Sequence, residues 1–136
     1  MAQQITSEAA IPACTPNMRA GRLTKARSYL KAAQLITPSV GDHQLQDVYI
    51  TNCVYAGIAA SDVICCAKLG IHSTGPNHRD AVTLLRTVDS ASAAHLKTLL
   101  DLKAGAGYSH VLSNEDARRK AEIAATAMVG AAILVT

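Results

Sequence analysis

The sequence contains neither phenylalanine nor tryptophan, and four tyrosines are the only aromatic residues among its 136. Alanine takes their place, with 25 residues. Small side chains let helices approach closely, although each one buries little apolar surface. A chain of this length is typical of a single domain with its own core. The scarcity of aromatic rings argues against stacking platforms, and therefore against sequence-specific reading of single-stranded nucleic acid.

Acidic residues are missing from residues 9–41, whereas basic residues are frequent there. The basic set comprises Arg19, Arg22, Lys25, Arg27 and Lys31. With a net charge of +3 the chain is only mildly basic, well short of a dedicated nucleic-acid protein. Such a stretch is typical of a solvated helix face, and it also offers contacts for phosphate groups.

The four cysteines form no CxxC pair. Cys53 and Cys65 would lie about 18 Å apart on a continuous helix, too far for a disulfide. Cys65 and Cys66 would face different sides of that helix. We therefore predict reduced, packed thiols. Residues 1–16 have neither the basic start nor the long apolar core of a signal peptide. Both observations favour a cytoplasmic protein.

Motifs for cofactors and metals are absent from the sequence. Cys65, His72 and His78 do not have the spacing of a regular zinc site. There is no nucleotide-binding glycine loop and no nucleophile elbow. The apolar C-terminal run of 14 residues is too short to span a bilayer. We expect no metal, no cofactor and no membrane contact.

Helical periodicity predicts an all-α bundle of four to five mostly antiparallel helices. It would occupy residues 15–136 as one domain, after a loose N-terminal arm at 1–14. The helices are expected at 16–36, 42–69, 78–88, 89–105 and from 114 onward, with Asn77 as the cap of the third and Ser113 as the cap of the fifth. On the first, the predicted core face comprises Leu23, Ala26, Tyr29, Leu30, Ala33 and Ile36. On the fourth, it comprises Ala91, Ala94 or His95, Leu99 and Leu102.

Asp62 is the only charged residue between Asp47 and Lys68, in an otherwise apolar helix. A carboxylate buried alone costs several kcal/mol, so we expect it to be paired. The candidate cations are Arg19 or Arg22 from the first helix and Lys103 from the fourth. The pair is either purely structural or one wall of a polar pocket for RNA or a nucleotide. That pocket would comprise Asp62, His78, Lys103 and Tyr108.

Three segments stand out together: Tyr55-Ala56 followed by small residues up to Gly70, then His78 opening a helix, then the element from Lys103 to Tyr108. In this combination they resemble the HEPN superfamily of small helical bundles. The resemblance covers about residues 17–110. It departs from the family at Lys103, where the corresponding element has Arg, and at Gly107, where it has Asp.

The resemblance implies a HEPN-like module that binds a partner protein, RNA or a nucleotide, without catalysis, in a toxin–antitoxin or defence system. It also implies an alternative, a metal-independent ribonuclease, because the ribonuclease members of the family carry Arg and His separated by four to six residues. Lys103 and His110 keep a six-residue gap. Lysine supplies charge but not the two-point hydrogen bonding of guanidinium, which argues against activity. A structural or assembly bundle without a ligand is the third possibility.

Partners are expected rather than cofactors. A homodimer is the default assembly for a small bundle. The resemblance additionally suggests a nucleotidyltransferase-like protein partner. In either assembly, Arg19, Arg22, Asp62, His78 and Tyr108 are the predicted ligand-binding residues.

Overall fold

The computed structural model describes residues 13–36, 43–74 and 77–136. In these ranges the chain forms five α-helices and no β-strand. They are α1 (Pro16–Ile36), α2 (Gln46–Leu69), α3 (His78–Arg86), α4 (Ser90–Gly107) and α5 (Glu115–Leu134), with a 3-10 turn at His43–Leu45 before α2. The predicted all-α bundle is confirmed.

The helix α2 forms the centre of the bundle and contacts each of the other four helices. It is buried on several sides because its residues are apolar or small almost all round. Its length and composition would suffice to cross a membrane, but 67% of its most apolar window is buried inside the protein. That burial is typical of the central helix of a bundle.

Close packing around α2 depends on a glycine. A Cβ atom added at Gly57 would meet the side chain of Leu99 on α4 and would lie 3.3 Å from Sδ of Met128 on α5. Leu99 and Met128 are themselves fully buried. The missing side chain therefore lets two neighbouring helices approach α2 at one level of the core.

Side-chain caps fix where the later helices begin. Asn77 accepts a hydrogen bond from the backbone N–H of Arg79, so the predicted cap of α3 is confirmed. At α5 the predicted cap, Ser113, is wrong: Asn114 accepts from the N–H of Ala117. The N–H of Ser113 instead donates to the Asp47 carboxylate, 3.3 Å away. This contact ties the loop before α5 to the first turn of α2.

The face of α1 follows the sequence pattern, whereas the face of α4 follows it in part: Leu99 is buried as predicted, and His95 and Leu102 are half-buried. Ala26, Leu30 and Ala33 are buried as predicted. On α4 the buried residues are Ser92, Ala93, Leu96 and Leu99. The predicted Ala91 and Ala94 are exposed. The helix α4 packs against α2, α3 and α5, so its buried face is wide. Alanines occur both inside and outside this face, and they therefore do not show which side of α4 points to the core.

The prediction that all four cysteines are reduced is wrong. Cys14 and Cys66 form a disulfide across 52 residues of sequence. Gly70 ends α2 in a left-handed conformation with φ of 74°, and the chain then turns back towards residues 13–14. There Ala13 forms an isolated antiparallel bridge with Ile71, and the N–H of Cys14 donates to the Gly70 carbonyl. Residues 1–12 of the predicted arm lie outside the described residues.

We predict that Gly57→Val lowers the free energy of unfolding by about 1–3 kcal/mol, because the new side chain overpacks the contact with α4 and α5. Urea unfolding followed by circular dichroism measures the change. Gly21→Val is the matched control, since a Cβ there meets nothing within 4 Å. It should stay within about 0.5 kcal/mol of wild type. Equal effects of the two substitutions would show that Gly57 is not a packing constraint.

Candidate functional site

The centre of the site is an ion pair between α1 and α2. The Nε of Arg22 donates to Oδ2 of Asp62 over 2.8 Å. The Asp62 side chain is 13% exposed, whereas that of Arg22 is 31% exposed. Of the three cations considered from the sequence, Arg22 is therefore the partner. Its long apolar stem crosses the helix interface, and its guanidinium keeps one edge near solvent.

His72 completes the surroundings of this carboxylate from the loop after α2. Its Nδ1 lies 3.7 Å from Oδ1 of Asp62 and 3.3 Å from the carbonyl oxygen of Ser73. The residue is only 8% exposed. Its other ring nitrogen, Nε2, is buried without a hydrogen-bond partner. From the sequence, His72 was considered only as a zinc ligand with Cys65 and His78, and the spacing of the three residues argued against such a site.

Burial dominates the electrostatics of Asp62. Desolvation raises the pKa of this carboxyl above its usual value, although the charges of Arg22, His72 and His78 each act to lower it. A raised pKa means that the folded state binds this proton more tightly than the unfolded state. The contribution of Asp62 to stability is therefore greatest in acid and declines as the pH rises through the folded pKa.

A cleft of about 420 Å³ opens between α3 and α4. Four cationic side chains line it: Arg79 and Arg86 from α3, and Lys97 and Lys103 from α4. One acid, Asp101, is also among the lining residues, and Lys97 pairs with it over 2.8 Å. In the described part of the chain, the three other cations form no ion pair. The cleft therefore carries an excess of positive charge that no neighbouring acid neutralises.

His78 connects this cleft to the Asp62 cluster. It is the first residue of α3, lines the cleft and is half-buried. Its pKa is lowered, first by burial and then by the positive charge of Lys103, while Asp62 acts in the opposite direction. Of the four residues predicted to form one pocket, His78 and Lys103 line this cleft, whereas Asp62 acts on His78 only through its charge and does not line it.

The remaining predicted site residues lie elsewhere. Tyr108 is 81% exposed and lines a separate small cavity of about 40 Å³, which it shares with Lys103. His110 lies exposed in the loop after α4. Neither residue lines the cleft between α3 and α4. Arg19 is half-buried in the first turn of α1 and forms no ion pair with the residues described.

The sequence analysis missed the two arginines of α3. Arg79 and Arg86 are seven residues apart, which places them on one face of a helix. This spacing is visible in the sequence, but its meaning depends on α4, whose lysines face the same cleft. Cys14 and Cys66 were also missed, because their contact depends on how the chain turns back after Gly70.

Comparisons with known proteins identify no relative: no protein-family model matches the chain, and no curated protein is similar to it.

We predict that Arg22→Gln lowers the free energy of unfolding by about 2 kcal/mol at pH 7, because it leaves a buried carboxylate without its cation. The loss should shrink towards pH 4. Without Arg22 the pKa of Asp62 rises further, so the folded state gains protons as the pH falls. Thermal and urea unfolding between pH 7 and pH 4 measure the loss of unfolding free energy and its decrease in acid.

The double variant Arg22→Gln/Asp62→Asn is the control for this pH dependence. It removes the ionisable group together with its partner, so it should be more stable than Arg22→Gln alone at pH 7 and show no such recovery in acid. If the single and double variants lose the same free energy at pH 7, the ion pair does not stabilise the fold.

We predict that the pKa of His78, measured by NMR titration of its imidazole signals, lies below 6.5. Lys103→Met should raise this pKa, Asp62→Asn should lower it further, and Arg119→Ala, on the exposed surface of α5, should leave it unchanged. Since the folded state binds this proton less tightly, His78 contributes stability that is fully present above its ordinary pKa of 6.5 and is lost as the pH falls from there through the lower folded pKa. If the pKa of His78 shifted in the same direction in the Lys103→Met and Asp62→Asn variants, the two charges would not act on His78 in opposite directions as described.

Proposed function

We propose that the protein is a HEPN-like helical module that binds RNA or a nucleotide through phosphate groups, without catalysis. The observation that carries the proposal is the cleft between α3 and α4, where Arg79, Arg86 and Lys103 form no ion pair with any residue that the structure describes. Its volume falls within the range of small-molecule sites. The N-terminal end of α3, with Asn77 and His78, also lines the cleft, and this end of a helix favours negative charge.

Phosphate is the ligand group that these side chains favour. Guanidinium groups bind phosphate oxygens with two parallel hydrogen bonds, and lysine adds a point charge. The apolar part of the lining comes from Val82 and Leu100, and it contains no aromatic ring. Base stacking is therefore unavailable in the cleft. The proposed ligand is held by its charge, and we expect little preference among bases.

Cleavage is not part of the proposal. Lys103 is half-buried and lines the cleft, but His110 lies on an exposed loop outside it. A general base has to lie within hydrogen-bonding reach of the hydroxyl that it deprotonates. A phosphate held by Arg79 and Arg86 would bring the ligand to the α3 side of the cleft. The position of His110 outside the cleft therefore supports binding rather than cleavage as the proposed function.

The assembly expectations accompany this proposal. A homodimer is the default for a small bundle, and a nucleotidyltransferase-like partner is implied by the resemblance. The cytoplasmic location was expected partly from reduced cysteines, and the Cys14–Cys66 disulfide removes that part of the argument. None of these expectations changes the cleft, because its lining residues all belong to α3, α4 and the residue that caps α3.

We predict that a short fluorescein-labelled oligouridylate binds the protein and that Arg79→Ala/Arg86→Ala weakens this binding at least tenfold. Fluorescence anisotropy at several salt concentrations measures affinity and its salt dependence. For single strands each phosphate contact contributes about 0.7 to the slope of log K against log salt, so losing two contacts should reduce the slope by about 1.4.

The control, Arg119→Ala, removes a cation from the exposed face of α5, where it pairs with Glu115. It should bind the oligonucleotide almost as wild type does. Equal weakening by Arg119→Ala would assign the binding to net charge rather than to the cleft. The absence of binding at low salt by the wild-type protein would refute the proposed function.

A further inference from the structure

The end of α2 brings together three side chains that suit a metal ion. The two Sγ atoms of Cys14 and Cys66 and a ring nitrogen of His72 lie within 4.8 Å of one another. In the described state the sulfurs are joined as a disulfide. We propose that reduction of this disulfide creates a binding site for Zn²⁺ formed by Cys14, Cys66 and His72.

The distances suit zinc after a small rearrangement. Zinc binds thiolate at about 2.3 Å and imidazole nitrogen at about 2.0–2.1 Å, which places neighbouring tetrahedral ligand atoms roughly 3.5–3.8 Å apart. Once the bond is broken, the sulfurs move apart to that separation, and the histidine closes by about 1 Å. The Cα atoms of Cys14 and Cys66 are 5.5 Å apart, so the sulfurs stay close without the bond.

The backbone holds the ligands in place independently of the disulfide. The N–H of Cys14 donates to the carbonyl of Gly70 over 2.9 Å, and Ala13 bridges Ile71, the residue before His72. The Gly70 N–H donates in turn to the carbonyl of Cys66. These contacts connect all three ligand residues through one short stretch of backbone, so reduction leaves the site assembled.

His72 provides the independent sign of a ligand. It is 8% exposed, and its Nε2 has no hydrogen-bond partner. A buried polar atom without a partner costs free energy, and metal coordination would satisfy it. With the proton on Nδ1, that nitrogen faces the Ser73 carbonyl and the Asp62 carboxylate, which leaves the lone pair on Nε2 free. Carboxylate and carbonyl partners of this kind orient the histidine ligands of zinc sites.

The charges also balance. Two thiolates neutralise one Zn²⁺, and Arg22 neutralises Asp62 behind His72. No net charge is then left in the interior. Thiolate and imidazole ligands favour zinc over magnesium or calcium, which prefer oxygen ligands. Cys14 is half-buried, so solvent reaches one side of the site and water supplies the fourth ligand.

The chemistry requires a thiol reductant, such as the glutathione-type thiols of a cytoplasm. One thiolate attacks a sulfur of the Cys14–Cys66 bond and forms a mixed disulfide, releasing the other cysteine. A second reductant thiol then attacks the mixed disulfide at the sulfur of the first. This frees the second cysteine and releases the two reductant thiols as one disulfide. Two electrons thus pass to the protein sulfurs, which become two thiols. On binding Zn²⁺, both thiols release their protons to solvent.

The test uses the full chain after reduction of the disulfide with a phosphine. The phosphine is oxidised to phosphine oxide, and its oxygen comes from water. After anaerobic removal of the reductant, Co²⁺ is added as a spectroscopic substitute and Zn²⁺ as the competitor. We expect one Co²⁺ per chain, a thiolate-to-cobalt charge-transfer band, the d–d bands of tetrahedral cobalt, and displacement by Zn²⁺. The oxidised protein should show none of these signals.

His72→Gln and Cys14→Ala should weaken binding at least 100-fold, and Asp62→Asn, behind the histidine, about 10-fold. Cys53→Ala and Cys65→Ala remove the two free buried thiols and serve as matched controls that should bind as wild type does. Circular dichroism establishes that each variant is folded. Because Cys14 is only half-buried, its replacement costs the fold less stability than replacement of either other ligand. Reduced wild type without stoichiometric cobalt, or an unchanged spectrum in His72→Gln, would overturn the proposal.

Discussion

The ion pair between Arg22 and Asp62 fixes the relation of α1 to α2. A carboxylate at this depth needs a partner, and the partner has to come from a neighbouring element because its own helix is apolar around it. The same requirement positions His72, whose Nδ1 approaches the other carboxylate oxygen. One acidic side chain therefore connects α1, the middle of α2 and the loop that follows α2. Burial weakens its acidity, while three surrounding cationic or titratable groups oppose that effect.

Small side chains take the place of aromatic rings in this bundle. Ten of the 25 buried apolar residues in the described part of the chain are alanines, so the core gains stability from close approach of helices rather than from large side chains. Gly57 shows the consequence most directly, because Leu99 and Met128 occupy the space in which its side chain would lie. Alanine and glycine have no alternative side-chain rotamers with which such a core could adjust, and the core therefore tolerates added volume poorly.

The positions of the helices could be predicted from the sequence, whereas the contacts between helices could be predicted only in part. Helix positions, the Asn77 cap and the buried face of α1 follow from local patterns, since periodicity and capping involve residues within one or two turns. The need of Asp62 for a cation was also predictable, and Arg22 was among the candidates. The inward face of α4 was predictable only in part, because alanines occur on both of its sides. The contact of Cys14 with Cys66 depends on the left-handed turn at Gly70 and on pairing across 52 residues, which no local pattern encodes.

The position of the disulfide has a consequence for the chain as a whole. It joins Cys14, two residues before the start of α1, to the last turn of α2, so residues 14–66 form a covalent ring that contains all of the first helix and most of the second. A protease that cuts one peptide bond anywhere in this ring leaves a single molecule. Release of a fragment from the ring requires either a second cut or a reducing environment.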